Sequence, residues 1–190
     1  MNNSLAPRIL YPPGGLLIWL IILLEVITFG VALIAFVWQR ADHLLQFQAS
    51  RDHLNVALGT VNTIMLLISG FFVAGAVHHA RQGLGHTSRQ SLLAGIGGGA
   101  VFVFLKVLEY QDKLEAGLGL YYDRFFTFYW LLTGFHLVHV LVGLAILGYF
   151  VLVRRGDGTP QQLEDLEAGA AFWHMCDLIW LLLFPVLYLM

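Results

Sequence analysis

The chain has 190 residues, 58% of them apolar and only 12% charged, with a mean hydropathy of +0.76. A soluble domain of this length needs several times more charged surface, and ten Lys and Arg against twelve Asp and Glu leave neither a basic patch for nucleic acid nor an acidic tail. The composition is that of a multi-span, all-α membrane protein organised as one domain over residues 1–190.

The N-terminal MNNSLAPRILYPPGG lacks a short apolar core followed by a small-residue cleavage site, so no cleavage is expected. The first span, Gly15 to Trp38, is entered through the turn residues Pro12, Pro13 and Gly14. Glu25 lies near its middle, where a carboxylate costs roughly 2.5 to 3.5 kcal/mol on insertion scales and therefore turns toward protein or water. It is either packing glue, held neutral and hydrogen-bonded to a neighbouring helix, or a functional group.

The second span runs from about Val56 to Val77 and ends at His78, His79 and Arg81. Asn62, Thr63 and Ser69 supply hydrogen bonds there, and Gly59, Gly70 and Gly75 allow close approach, all of which reads as bundle packing. His78, His79 and Arg81 form a solvated helix end or a place to meet anionic headgroups. The third span, about Leu92 to Leu108, is weakened by Gly95, Gly97, Gly98 and Gly99 and by Lys106 and Glu109 at its end. Gly95 and Gly99 have the small-xxx-small spacing of a helix contact. Lys106 either pairs with Glu109 at i, i+3 or snorkels outward.

The fourth span, Phe125 to Val153, has no Asp, Glu, Lys or Arg and is longer than a bilayer needs, so it tilts or projects. His136 and His139 share a face of it. Two imidazoles at this spacing can contribute to a metal site, but a closed site needs about four ligands, and neither Cys nor a carboxylate accompanies them on this helix. Hydrogen bonding between helices is the plainer role. The fifth span, about Ala168 to Met190, carries Trp173, His174, Asp177 and Trp180; His174 and Asp177 form structural glue or a proton-handling pair, and the tryptophans have the character of interface markers or packing groups. Cys176, the single cysteine, lies in an apolar run as a buried inert thiol and excludes an internal disulfide.

Orientation rests on loop charge. Arg8, Arg81, Arg89, Arg154 and Arg155 fall on the N-terminal side, against Arg40, Arg51, Lys113 and Arg124 on the other, with Lys106 at a span end. The bias leans toward a cytoplasmic N-terminus and a periplasmic C-terminus, with the segment RRGDGTPQQLEDLE as a short cytoplasmic connection. Nucleophile motifs, a phosphate-binding glycine loop, paired cysteines and a zincin helix are all missing, so residue chemistry alone describes a non-enzyme.

The strings LLEVITFG, GTVNTIMLLISG, FLKVLEY, FYWLLTGFHLVHVLVG and FWHMCDLIWLLLF resemble subunit III of the haem-copper oxidases from Leu16 to Leu189. The pattern TGFHxxHVxxG followed by WHxxDxxW is the most specific part. The resemblance implies a five-helix bundle lacking the first two helices of the seven-helix form. It matches Glu25 to the carbodiimide-reactive membrane carboxylate of that family, and Glu109, His136, His139, His174 and Asp177 to its other intramembrane polar positions. It further implies a chain that binds neither haem nor copper, which belong to the catalytic partner, and that holds phospholipid, packs beside that partner and supports sustained turnover and proton uptake. The short length, the segment LLQFQASRDHLNVALGTVNTIMLL and the ending FPVLYLM are most similar to NorE-type proteins associated with bacterial nitric oxide reductase, in the cytoplasmic membrane.

The expected function is thus a non-catalytic accessory subunit of a nitric oxide reductase, with Glu25 paired to His139. Subunit III of a terminal cytochrome c or quinol oxidase is the nearest competitor. A proton-coupled transporter using Glu25, His136, His139 and Asp177 as a relay, and a haem-carrying subunit using His136 or His139 with His174, are the readings from other classes.

Overall fold

The computed structural model describes residues 14–153 and 160–190, and its described residues are helical, without strands. The helices are α1 (Leu16–Asp42), α2 (Leu44–Arg51), α3 (Val56–Arg81), α4 (Gly85–Glu115), α5 (Arg124–Val153) and α6 (Pro160–Phe184). A π-helical turn, Pro185–Leu189, continues α6. Among the described residues, five helices are long and apolar enough to cross a membrane. Pro12, Pro13, Arg8, Arg154 and Arg155, used above for the first turn and for orientation, lie outside the described residues.

Four boundaries differ from expectation, each for a local reason. The third span is a helix of 31 residues that runs through Lys106 and Glu109, because both side chains turn into the bundle rather than into lipid. The connection expected to reach Glu167 is helical from Pro160 onward, with proline at the helix start, where its missing N–H costs nothing. The helix α2 was not foreseen: it is short, buries Phe47 and Ser50, and leaves Leu44 and Leu45 exposed. Pro185 cannot donate to the turn before it, and the helix widens there into the π turn.

Sharp helix ends depend on two glycines with positive φ, Gly83 (75°) and Gly117 (74°). At each, the following amide reaches back to the last turn, Leu84 N–H to His79 O at 3.0 Å and Leu118 N–H to Lys113 O at 2.9 Å. Asn55 caps α3 by accepting from the Leu58 N–H at 3.0 Å. Asp123 caps α5 by accepting from the Phe126 N–H at 2.7 Å and also takes the Ser50 hydroxyl, which ties α2 to α5.

The helix α6 is the axis of the bundle, packing against α1, α3 and α5. Trp173 and Trp180, read above as interface markers or packing groups, are 0% and 1% exposed and fill the core. The physical reason is a pair of glycines that make room for the Trp173 ring: a Cβ on Gly99 of α4 would come 2.5 Å from Trp173, and one on Gly143 of α5 2.7 Å. Gly95 and Gly98, rather than Gly95 and Gly99, form the close contact with α3, against Val73 and Ser69, where the Ser69 hydroxyl donates to Gly95 O at 2.5 Å. Asn62 is buried on α3 with its Oδ1 unpaired.

Candidate functional site

Four sets of polar side chains occupy the bundle, and they differ in how completely they satisfy one another. The fullest is centred on Lys106 of α4. Its ammonium donates to Glu109 Oε2 (3.0 Å), Tyr129 OH (3.1 Å) and Tyr188 OH (2.8 Å), while Glu109 Oε1 accepts from Tyr129 (3.0 Å) and Tyr188 (2.7 Å). The rings of Tyr110, Tyr129, Trp180 and Tyr188 surround the ammonium at 4.8–5.4 Å from their centroids, adding cation–π attraction. Three donors on Lys106 have three acceptors, so one helix turn of α4 is bolted to α5 and to the π turn. Spacing pointed to the Lys106–Glu109 pair, but Tyr129 and Tyr188 were missed. Their signal was two tyrosines within or beside spans, whose hydroxyls need a partner when buried.

Around this cluster, Trp180 Nε1–H donates to Thr63 at 2.9 Å, and Tyr110 donates to Thr133 at 2.8 Å. Lys113 reaches the carbonyl of His53 at 2.6 Å.

The second set joins α1 to α5. Glu25 Oε2 lies 3.3 Å from His139 Nε2, within ion-pair distance but without the alignment of a hydrogen bond. His139 Nδ1 stands 2.8 Å from Phe135 O, which assigns the proton on that nitrogen. With Nδ1 so used, Nε2 is the ring atom turned toward the Glu25 carboxyl group. Rings of Phe29, Phe135 and Phe172 pack around the imidazole.

His136, one turn away, takes no part in that pair. It is 0% exposed, neither ring nitrogen has a hydrogen-bond partner, and the imidazole stacks on Trp180 at 5.2 Å with Phe102 against its edge. His136 and His139 therefore share a helix but not a site. Among the described residues no three His, Cys, Asp or Glu side chains gather to hold a metal.

The fourth set is on α6. His174 Nδ1 is 3.2 Å from Asp177 Oδ2; the Asp177 side chain is buried against Gly70 of α3, with Oδ1 unpaired, and His174 is exposed. At the loop end of this face Arg81 and Glu167 pair at 2.8 Å, His79 contacts Ser91 at 3.2 Å, and His78 contacts Gln82 at 3.0 Å.

Comparison with known proteins gives a consistent result. The family model described as "Cytochrome c oxidase subunit III" matches residues 50–190, which include all of α3 to α6. The chain is 31% identical over 178 residues to cytochrome c oxidase subunit 3 of Thermostichus vulcanus, covering 93% of this chain and 86% of that one. It is 35% identical over 130 residues to cytochrome c oxidase subunit 3 of Gadus morhua, covering 67% of this chain but 48% of that one, about half its length. To quinol oxidase subunit 3 of Bacillus spizizenii it is 30% identical over 140 residues, 71% of this chain and 67% of that one.

Proposed function

The chain belongs to the cytochrome c oxidase subunit III family, and from that membership we propose that it is a non-catalytic accessory subunit of a respiratory complex, docking through its helices onto the haem-containing catalytic subunit. The partner in this reading is a bacterial nitric oxide reductase, and the chain is of the NorE type. It sits in the cytoplasmic membrane with its N-terminus cytoplasmic and its C-terminus periplasmic. Haem and metal belong to the partner.

The observation that carries the accessory role is the family match across residues 50–190. The Lys106 network agrees with it, because the charges buried there are spent on one another and hold helices together. The finer assignment is supported by residues 44–67, the segment whose sequence is NorE-like and which folds as α2 and the first half of α3. A second reading, subunit III of a terminal cytochrome c or quinol oxidase, is favoured by the oxidase subunits to which the chain is similar.

Purification of the tagged chain from its native membrane in mild detergent, followed by mass spectrometry, tests both. A stoichiometric haem-containing subunit is expected, and its identity decides between reductase and oxidase. Reproducible recovery of this chain alone would overturn the accessory reading in favour of a transporter or a transient assembly factor. A Soret band in that isolated chain would instead indicate a haem-carrying subunit.

A further inference from the structure

One groove on the bundle combines an apolar wall with a polar group at a depth where lipid offers it nothing. It lies between α1, α3 and α6, encloses about 490 Å³, and is lined by Trp19, Ile22, Val77, Ala171, Met175 and Leu178, with the Arg81–Glu167 pair at its mouth and His174 in its wall. From Glu167 to His174 is seven residues of one helix, so the imidazole lies roughly 10 Å further toward the membrane centre than the ion pair. Its side chain is 43% exposed, and Asp177, directly behind it, engages Nδ1 and leaves Nε2 as the ring atom still to be satisfied.

A phospholipid or fatty acid places its polar atoms level with Arg81 and only hydrocarbon level with His174. Acyl chains cannot hydrogen-bond an imidazole, and a polar group left unpaired in the hydrocarbon core is costly. The occupant that fits carries hydrogen-bonding oxygens on a flat ring two turns below the headgroup plane, with a hydrocarbon tail. Trp19, 44% exposed, suits the face of such a ring as an aromatic surface.

We propose that this groove binds the ring of a prenylated quinone or quinol, with His174 Nε2 as its hydrogen-bond partner and Asp177 as the positioning residue. Where Nδ1–H donates to the Asp177 carboxylate, Nε2 accepts from a quinol hydroxyl. Where Asp177 is protonated, its O–H donates to Nδ1 and Nε2–H donates to a quinone carbonyl. The second state holds one proton more than the first, taken up from water, so the site recognises both forms of the ligand through the protonation of the dyad, with no electron transferred. The inference concerns this chain's own surface and goes beyond the accessory role, whichever complex the chain joins.

The test is tryptophan-fluorescence titration of the full chain in nanodiscs of phosphatidylethanolamine and phosphatidylglycerol, with decylubiquinone as the probe and its quinol as the second ligand. Saturable quenching with one site per chain is expected, weakened about tenfold or more by His174→Leu and by the groove-filling Ala171→Trp. Val138→Phe, on the exposed face of α5, leaves it unchanged, and size-exclusion profiles check that each variant folds. Asp177→Asn should alter the ratio of quinol to quinone affinity, whereas a merely structural role would weaken both alike. Linear quenching that is identical in wild type and both groove variants would overturn the proposal. So would native mass spectrometry that finds a phospholipid in the groove which decylubiquinone does not displace.

Discussion

The Lys106 cluster and the His136 pocket are both buried among aromatic rings beside Trp180, yet one is closed and the other open. Around Lys106 each donor meets an acceptor, and Glu109 receives three bonds from three helical elements. Around His136 neither ring nitrogen has a hydrogen-bond partner, and the rings of Phe102 and Trp180 lie against the imidazole. The difference separates polar groups that hold a membrane bundle together from polar groups that merely fit inside it. Burial alone does not tell them apart, since both are 0% exposed.

The largest expected effect comes from breaking the closed cluster. Lys106→Met leaves Glu109 buried without its counter-charge and should lower stability by roughly 3–5 kcal/mol. Thermal unfolding in detergent checks this, and the double variant with Glu109→Gln should recover part of the loss because no charge is then left unpaired. A double variant as unstable as the single one would mean that packing, not charge, is what the cluster supplies.

Next in size is the packing of Trp173 between α4 and α5. Gly99→Ala puts a methyl group against Trp173 from α4, which overpacks the contact and should cost about 1–3 kcal/mol. The same substitution at Gly97, which faces open space, should change unfolding by less than about 1 kcal/mol.

His136→Phe sharpens the comparison from the open side. It keeps the ring that stacks on Trp180 and removes two unsatisfied nitrogens, so stability should stay within about 1 kcal/mol of wild type or rise. A large loss would show that His136 has a hydrogen-bonding partner in the membrane-embedded protein. The smallest effect on folding is expected from Glu25→Gln, which keeps the shape of the α1–α5 contact but removes its ionisable carboxyl group. Its readout is the partner's turnover between about pH 6 and 8, the range in which imidazole titrates. Identical profiles would remove any proton-handling role from the pair.

Much of this molecule was legible from residue chemistry. An uncharged run long enough to cross a bilayer is helical of necessity, because the backbone has no other partner there. The fourth span follows from that constraint directly, and the other four follow because their apolar residues far outnumber the few polar ones they carry. The i, i+3 pairs Lys106–Glu109 and His174–Asp177 also follow, since three residues along a helix return to the same face. Where periodicity was silent the reading was incomplete: α2 is too short to show a pattern, and the helical extension of α6 back to Pro160 is polar rather than apolar.

What the sequence determined by itself is therefore the material: five spans, the polar residues within them and the local pairs along one helix. Only the tertiary structure decided which of those residues meet across helices. Tyr129 and Tyr188 join Lys106 from positions 23 and 82 residues away, and Trp173 is placed in the core by glycines on two other helices. The physical reason is that in lipid the hydrophobic effect does not distinguish inside from outside. Helix faces are sorted instead by steric fit and by the satisfaction of rare polar groups, and both exist only once the helices are packed together.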